Sequence, residues 1–444
     1  MCKWAFRPDP SLIEALPKFT DALKVEFTKE SGKHVIATRD IEPGEILCVE
    51  KAYGITVNHG LRCNICSYCK LQTWSSIPCE KCVQVVYCSV KCREDAYHNH
   101  HDIECTVIPQ LLSYGVRDKF LMALRLTIIA MKEIGNSIDA MRHKISVIDR
   151  YKSLPTFNKF ITDALSKMEY DSIYITAPKY SPNLMTHESQ SVASCVIMAY
   201  FYGLEIKLFK KNDFIYLQTL ANDENFLFLV QFIEINTRIA NFNGLNMSML
   251  SIKHQSLKVS NAIFAYSNLF PHSCRKMIAH SRHYNGIIIR STCSIKKSEQ
   301  VFNNYGVFFD DCNNQVSQDF LKNLDYICKC KVCVDDVETV PIKKHKVPNE
   351  DLEYFRSDIK TLQEQINVLK SYLCEQCIVN NYLPLFNYVS EAKIILTLLR
   401  KIDEYQSYNT NEAYECIKLF FEIPAEEQVP YVTLQNIRAT TQKS

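Results

Sequence analysis

A block of cysteines between Cys66 and Cys105 restricts this chain more than any other feature. In order it reads Cys66-x2-Cys69, Cys79-x2-Cys82, Cys88-x3-Cys92 and His101-x3-Cys105. Eight ligands in four close pairs can complete two tetrahedral zinc shells, one of cysteine alone and one with a single histidine. A two-residue spacer lets the chain turn so that both sulfurs reach one ion. A three-residue spacer places two ligands at i and i+4, on one face of a helical turn. The block has almost no apolar core, so metal has to supply its folding energy, roughly 10–16 kcal/mol per structural zinc at neutral pH. Cross-brace fingers interleave their pairs. That predicts Cys66, Cys69, Cys88 and Cys92 around one ion, and Cys79, Cys82, His101 and Cys105 around the other. Cys63 also makes C-x2-C with Cys66, and His98 and His100 stand close to His101, but only His101 gives the H-x3-C spacing.

Composition narrows the setting. The chain carries 20 cysteines in 444 residues, and Met1 to Leu16 holds no apolar run of signal-peptide type. Reduced thiols in the cytoplasm and nucleus are therefore expected rather than a disulfide framework. A formal net charge of +2 without a long run of one sign argues against direct binding of nucleic acid. Between Arg62 and Cys105 five basic residues balance five acidic ones, which suits protein contact better than phosphate contact. Neither G-x-G-x-x-G nor G-x-x-x-x-G-K-[ST] occurs, which counts against dinucleotide and P-loop sites. The most apolar stretch, Phe120 to Met131, is short and contains Arg125. It reads as a buried helix, and no membrane span is expected.

Along the chain, Ser11 to Leu23 suggests a helix, and His34 to Thr38 and Ile46 to Val49 suggest strands. Glu42-Pro43-Gly44-Glu45 between those strands predicts a hairpin. Ile108 to about Asn243 reads as helical, with well-marked helices over Ser189 to Leu204 and Asn225 to Ala240. Strands follow Gly244, and Asn285-Gly286 before Ile287-Ile288-Ile289 predicts a hairpin. A second cluster, Cys328-x-Cys330-x2-Cys333, supplies three thiolates and needs a fourth ligand, for which Cys274, Cys293 and Cys312 are candidates. From Asn349 the pattern is helical again.

Several of these segments carry a family likeness. The order and spacing of the first cluster, with Val86-Tyr87-Cys88-Ser89 opening its third pair, resembles a MYND finger. Gly32-Lys33-His34-Val35-Ile36-Ala37, followed by Pro43-Gly44-Glu45, resembles the first hairpin of SET domains. Ser267 to Cys274 resembles their N-H-S-C segment, Phe302-Asn303-Asn304-Tyr305-Gly306 their C-terminal tyrosine segment, and Leu324 to Cys328 the opening of their post-SET cluster. The organisation is similar to that of the SET- and MYND-domain (SMYD) lysine methyltransferases over about residues 28–335. The first hairpin and Ala123-Leu124-Arg125-Leu126 look most like the branch with N-terminal tetratricopeptide repeats, although those repeats are not in this sequence.

The resemblance implies an α+β protein: a SET β-fold split by a MYND double zinc finger, with a helical insert, a post-SET zinc loop and a C-terminal helical domain. Its implied boundaries are 1–61 for the N-terminal SET part, 62–105 for the finger and 106–243 for the insert. The C-terminal SET part then takes 244–306, the zinc loop 307–335 and the last helices 336–444. It further implies Cys274 as the fourth ligand beside Cys328, Cys330 and Cys333, making three structural zinc ions. S-adenosylmethionine (SAM) is the implied cofactor, contacted by Lys33, His272, Tyr305 and Tyr326, with Tyr305 as the catalytic tyrosine that orients the substrate amine. The implied substrate is a lysine of a histone or other protein, with proline-rich partners for the finger and a monomeric state. One departure bears on activity. Pro271 stands where the family has asparagine, and proline offers neither a side-chain amide nor a backbone N–H. The alternative is accordingly a weak or inactive SET-MYND protein that serves as an interaction scaffold or transcriptional corepressor.

Overall fold

The computed structural model describes residues 20–305, except for segments 29–31, 43, 74, 117–119, 153, 155, 179–187, 210–219, 251–255, 275–276 and 284, together with Leu321, Cys328, Cys330 and Cys333. The C-terminal helices, the N-terminal segment before residue 20 and Tyr326 lie outside the described residues. Strands form where apolar residues alternate or where β-branched residues run together. Leu23, Val25 and Phe27 keep a period of two, and Leu23–Thr28 is strand β1 rather than the end of a helix. It pairs antiparallel with β2 (Gly32–Ala37), Val25 opposite Val35. Strands β3 (Ile46–Lys51) and β4 (Gly54–Val57) follow, and β5 (Ile77–Pro78) and β6 (Val86–Tyr87) form a small ladder inside the cysteine block. The last four are β7 (Leu245–Leu250), β8 (Ser256–Ile263), β9 (Ile278–His283) and β10 (Gly286–Ser291). Two three-stranded sheets result, in the orders β3-β10-β9 and β4-β8-β7.

The β9–β10 hairpin at Asn285-Gly286 forms as the sequence predicts. The hairpin predicted at Glu42 to Glu45 does not. Strand β2 pairs with β1, and β3 pairs with β10. The buried run Ile287-Ile288-Ile289 takes a strand on each side, and β3 supplies the second one. Gly44, at φ +82°, turns a corner instead: its N–H donates to Ser291 O at 2.8 Å, and Arg290 donates to its carbonyl at 3.1 Å. A local turn signal cannot distinguish a hairpin from a corner between sheets, because both need the same backbone angles.

Eight helices are described. They are α1 (Val90–Ala96), α2 (Asp102–Ser113), α3 (Leu121–Glu133), α4 (Ile138–Tyr151), α5 (Phe157–Lys167), α6 (Tyr170–Tyr174), α7 (Glu188–Glu205) and α8 (Glu224–Asn243). None of them is long and apolar enough to cross a membrane. Side-chain caps fix the starts of α4 and α8: Ser137 Oγ accepts from Ala140 N, and Asp223 Oδ1 accepts from Phe226 N. Helix α8 packs on α7 and α3, and α3 lies against β4. At Gly54 a Cβ would come within 2.8 Å of Leu126 Cδ2, so glycine is what lets α3 approach that strand.

Helix α3 is buried nearly all round, Arg125 included. Arg125 Nε and Nη2 reach the two carboxylate oxygens of Glu104 on α2, at 2.5 and 2.6 Å, and Nη1 donates to Ile55 O of β4 at 2.6 Å. One fork thus ties the finger-proximal helix, the helical layer and a sheet together. Helix α2 itself carries Cys105 in its first turn, then sends Val107, Ile108 and Leu111 into the main core. Replacing Arg125 with leucine should destabilise the zinc-loaded protein by roughly 3–5 kcal/mol, because Glu104 would keep a buried charge without its partner. Adding Glu104→Gln should recover part of that loss in denaturant unfolding. A loss below about 1 kcal/mol for Arg125→Leu, the range of solvated pairs, would contradict this account.

Candidate active site and metal centres

Three groups of ligand atoms converge, each within 4.8 Å: Cys66, Cys69, Cys88 and Cys92; Cys79, Cys82, His101 and Cys105; and Cys274, Cys328, Cys330 and Cys333. Zinc–sulfur bonds of about 2.3 Å at tetrahedral angles put two sulfurs about 3.8 Å apart. Observed separations are close to that: 3.5 Å for Cys69–Cys88 and Cys88–Cys92, 3.7 Å for Cys79–Cys105, and 3.5 and 3.9 Å from Cys274 to Cys333 and Cys328. Disulfides would need about 2.05 Å. The donor sets and their spacing therefore fit zinc.

Local structure explains each placement. Cys66 N donates to Leu71 O and Lys70 N to Cys66 O, folding the first C-x2-C into a knuckle. Ser89 Oγ accepts from Cys92 N and starts α1, so Cys88 and Cys92 flank one helical turn. A π-helical turn over Tyr97–His101 precedes α2. It brings His101 Nε2 to 3.5 Å from Cys82 Sγ, while His101 Nδ1 lies 4.0 Å from Glu104 Oε2. The Arg125 partner thus also stands behind a metal ligand. His100 is buried with its Nδ1 on Asn99 Oδ1, and Cys63 is exposed outside both groups. A hydrogen bond from Cys69 pulls the Cys66 thiol down to about 4, and bonds from Cys274 and Cys328 hold Cys330 well below the thiol range. The shift is shared within each group, since the same hydrogen bonds push the Cys69 and Cys274 thiols up, and zinc binds the ligands as thiolates.

A second convergence involves the two SET-like segments. The chain passes through a short 3-10 turn, Ser267–Leu269, into Phe270 to Cys274, and Phe302 to Tyr305 runs beside it in parallel. Asn303 N donates to Pro271 O and Ser273 N to Asn303 O, both at 2.8 Å. Asn304 Nδ2 donates to Ser273 O at 3.2 Å. This bridge uses the carbonyl of position 271, which proline keeps. Tyr305 N then donates to His272 Nδ1 at 3.1 Å, and Tyr305 Oη donates to Phe270 O at 3.3 Å. An accepting Nδ1 leaves the ring proton on Nε2, 3.7 Å from Cys274 Sγ. His272 and Tyr305 rings lie 5.2 Å apart. Burial lowers His272 to about 4 and raises the Tyr305 phenol to about 12, although 40% of that residue's surface is exposed.

Lys33 is the second residue of β2, and its ammonium donates to Ile175 O just beyond α6. Burial, with a smaller effect of Lys152, lowers its pKa to about 8. The structure thus brings His272, Tyr305 and the third metal group together and directs Lys33 to the helical layer. Two residues escape sequence reasoning, Glu104 and Glu50, both wholly buried acids. The available signal at Glu50 was a charge closing the apolar run Ile46-Leu47-Cys48-Val49, beside Lys51.

Comparison with known proteins adds the family context. A profile of the SET domain family matches residues 32–306. The chain is 22% identical over 356 residues to protein-lysine N-methyltransferase SMYD4 of Gallus gallus, covering 67% of this chain and 47% of that protein. It is 31% identical over 134 residues to SMYD4 of Homo sapiens, covering 26% and 16%. With histone-lysine N-methyltransferase SMYD3 of Mus musculus it shares 33% over 90 residues, covering 20% and 21%. Each match thus spans less than half of the relative's length.

Elemental analysis of protein purified in metal-free buffer should find one zinc for each of the three groups. Cys274→Ser should lose one of those ions and keep the two of the cysteine block. Retention of the full complement in Cys274→Ser would show that this thiol is not a ligand.

Proposed function

The chain belongs to the SET-domain family, in its SET- and MYND-domain group, and from that premise we propose that it is a SAM-dependent protein-lysine N-methyltransferase whose finger recruits protein partners. The observation that carries the reading is the meeting of His272 and Tyr305 on adjacent parallel segments beside Cys274. SAM, when bound, supplies an electrophilic methyl group on a sulfonium. The lysine amine has to arrive neutral and in line, forming the N–C bond as the S–C bond breaks, and the proton on nitrogen leaves to solvent. Alignment and exclusion of water matter more here than acid–base strength.

The residues present fit those demands. Tyr305 has its hydroxyl held on Phe270 O, and its oxygen lone pairs remain able to accept from an amine. His272 accepts from Tyr305 N through Nδ1, so the bonded form of the ring is uncharged and does not repel a sulfonium. Lys33, His272, Tyr305 and Tyr326 are the proposed cofactor contacts, and the three thiolate-rich groups are proposed to hold zinc. In the finger Val83, Val90 and Tyr97 are exposed, and Lys81 lies over the Tyr97 ring at 5.4 Å. Exposed apolar side chains together with a near-neutral charge support a protein-binding role.

Pro271 favours the second reading, an inactive scaffold, because it removes a side-chain amide from the cofactor side without disturbing the bridge. Calorimetric titration of zinc-loaded protein with SAM separates the two. Pro271→Asn should tighten binding by roughly ten- to a hundredfold, since one restored bond to a charged group is worth about 1.5–3 kcal/mol. Tyr305→Phe should hold SAM within about threefold of wild type and abolish methyl transfer to protein lysine. Absence of binding at about millimolar SAM in both wild type and Pro271→Asn would establish the scaffold reading instead.

A further inference from the structure

Glu50 lies within β3, whose preceding residues are apolar, and none of its surface is exposed. Its backbone is fixed by the sheet, opposite Ile287 of β10. The approach is close, because a Cβ on Gly286 would fall 2.7 Å from the Glu50 carbonyl oxygen. From that position the carboxylate accepts three backbone donors in succession. Ala265 N and Tyr266 N reach Oε1 at 2.6 and 2.9 Å, and Ser267 N reaches Oε2 at 3.0 Å. All three donor residues are buried, so water is not a ready substitute. A buried N–H left unpaired costs more than the formed bond returns.

What those donors precede gives the contact its meaning. Ser267 begins the 3-10 turn that delivers Phe270, whose carbonyl receives the Tyr305 hydroxyl, and His272, whose Nδ1 receives the Tyr305 amide. The same turn is fastened by Asn268 Nδ2 on Phe264 O at 2.5 Å and by Ser267 Oγ at 3.3 Å from His280 Nε2. We propose that Glu50 is a positioning residue of the active site: its carboxylate sets the direction in which the Ser267–Leu269 turn presents Phe270 O and His272 to Tyr305. The effect on SAM rests on the methyltransferase reading above, while the effect on Tyr305 does not. A carboxylate suits the task because it only accepts, and several N–H donors can share its two oxygens. A glutamine would turn an NH2 group toward one of those donors.

The test compares full-length, zinc-loaded wild type, Glu50→Gln and Glu50→Asp by amide hydrogen exchange and by SAM titration. Glu50→Gln should speed exchange at Ala265 to Ser267 and at Tyr305 by roughly tenfold, with α3 and α8 unchanged. Its SAM affinity should fall by about fivefold or more. Glu50→Asp keeps the charge on a shorter arm and should fall between wild type and Glu50→Gln in both measurements. Unchanged protection at Tyr305 would overturn the proposal, as would faster exchange spread evenly through α3 and α8. If Glu50→Gln does not fold, Glu50→Asp against wild type decides by the same criteria. Failure of both variants to fold and hold zinc would assign Glu50 to folding alone and overturn it too. A wild type that binds no SAM would sink the methyltransferase reading, and the exchange data would still decide Glu50.

Discussion

The parallel bridge between His272 and Asn303 joins two segments that are remote in sequence, and the geometry of the candidate active site follows from it. Two backbone bonds, Asn303 N to Pro271 O and Ser273 N to Asn303 O, set its register, and the Asn304 amide and both Tyr305 bonds add to them. The pairing is also clamped from both ends. Upstream, the carboxylate of Glu50 gathers Ala265 to Ser267. Downstream, Cys274 leaves the bridge to join Cys328, Cys330 and Cys333. A metal ion at that group would fix the far end of the segment in the way the buried carboxylate fixes the near end.

The finger is joined to the rest by more than a linker. Helix α2 carries Cys105 and Glu104 in its first turn and core residues in the next two, so it belongs to both bodies. Glu104 faces His101 on one side and receives the Arg125 fork on the other. The same guanidinium takes up Ile55 O from β4. A displacement of the second metal group would therefore be felt in a sheet, through the buried Glu104–Arg125 pair.

Pro271 illustrates how a fold and an activity can part. The bridge needs an acceptor at position 271, and a proline carbonyl serves as well as an asparagine carbonyl. The lost groups are the side-chain amide and the N–H, which the described hydrogen bonds of the pairing do not use. The bridge is thus indifferent to whether position 271 is proline or asparagine.

The ligand pairs of the cysteine block, the helices over 189–204 and 225–240 and the hairpin at Asn285-Gly286 were legible in the residues themselves. Each is set by short-range physics: ligand spacing, a 3.6-residue apolar period, or a dipeptide that turns easily. The family likeness extended this to the fourth thiol at Cys274, which no local spacing could have chosen over Cys293 or Cys312. Other features depended on what packs against what. The corner at Gly44, the burial of Glu104 and Arg125 against Ile55, and the reach of Glu50 to three amides more than 200 residues away are of this kind. A turn, an acid or an arginine looks the same in sequence whether it faces water or a partner. Only the tertiary structure supplies the partner, because the cost of burying a charge or an N–H is decided by what meets it.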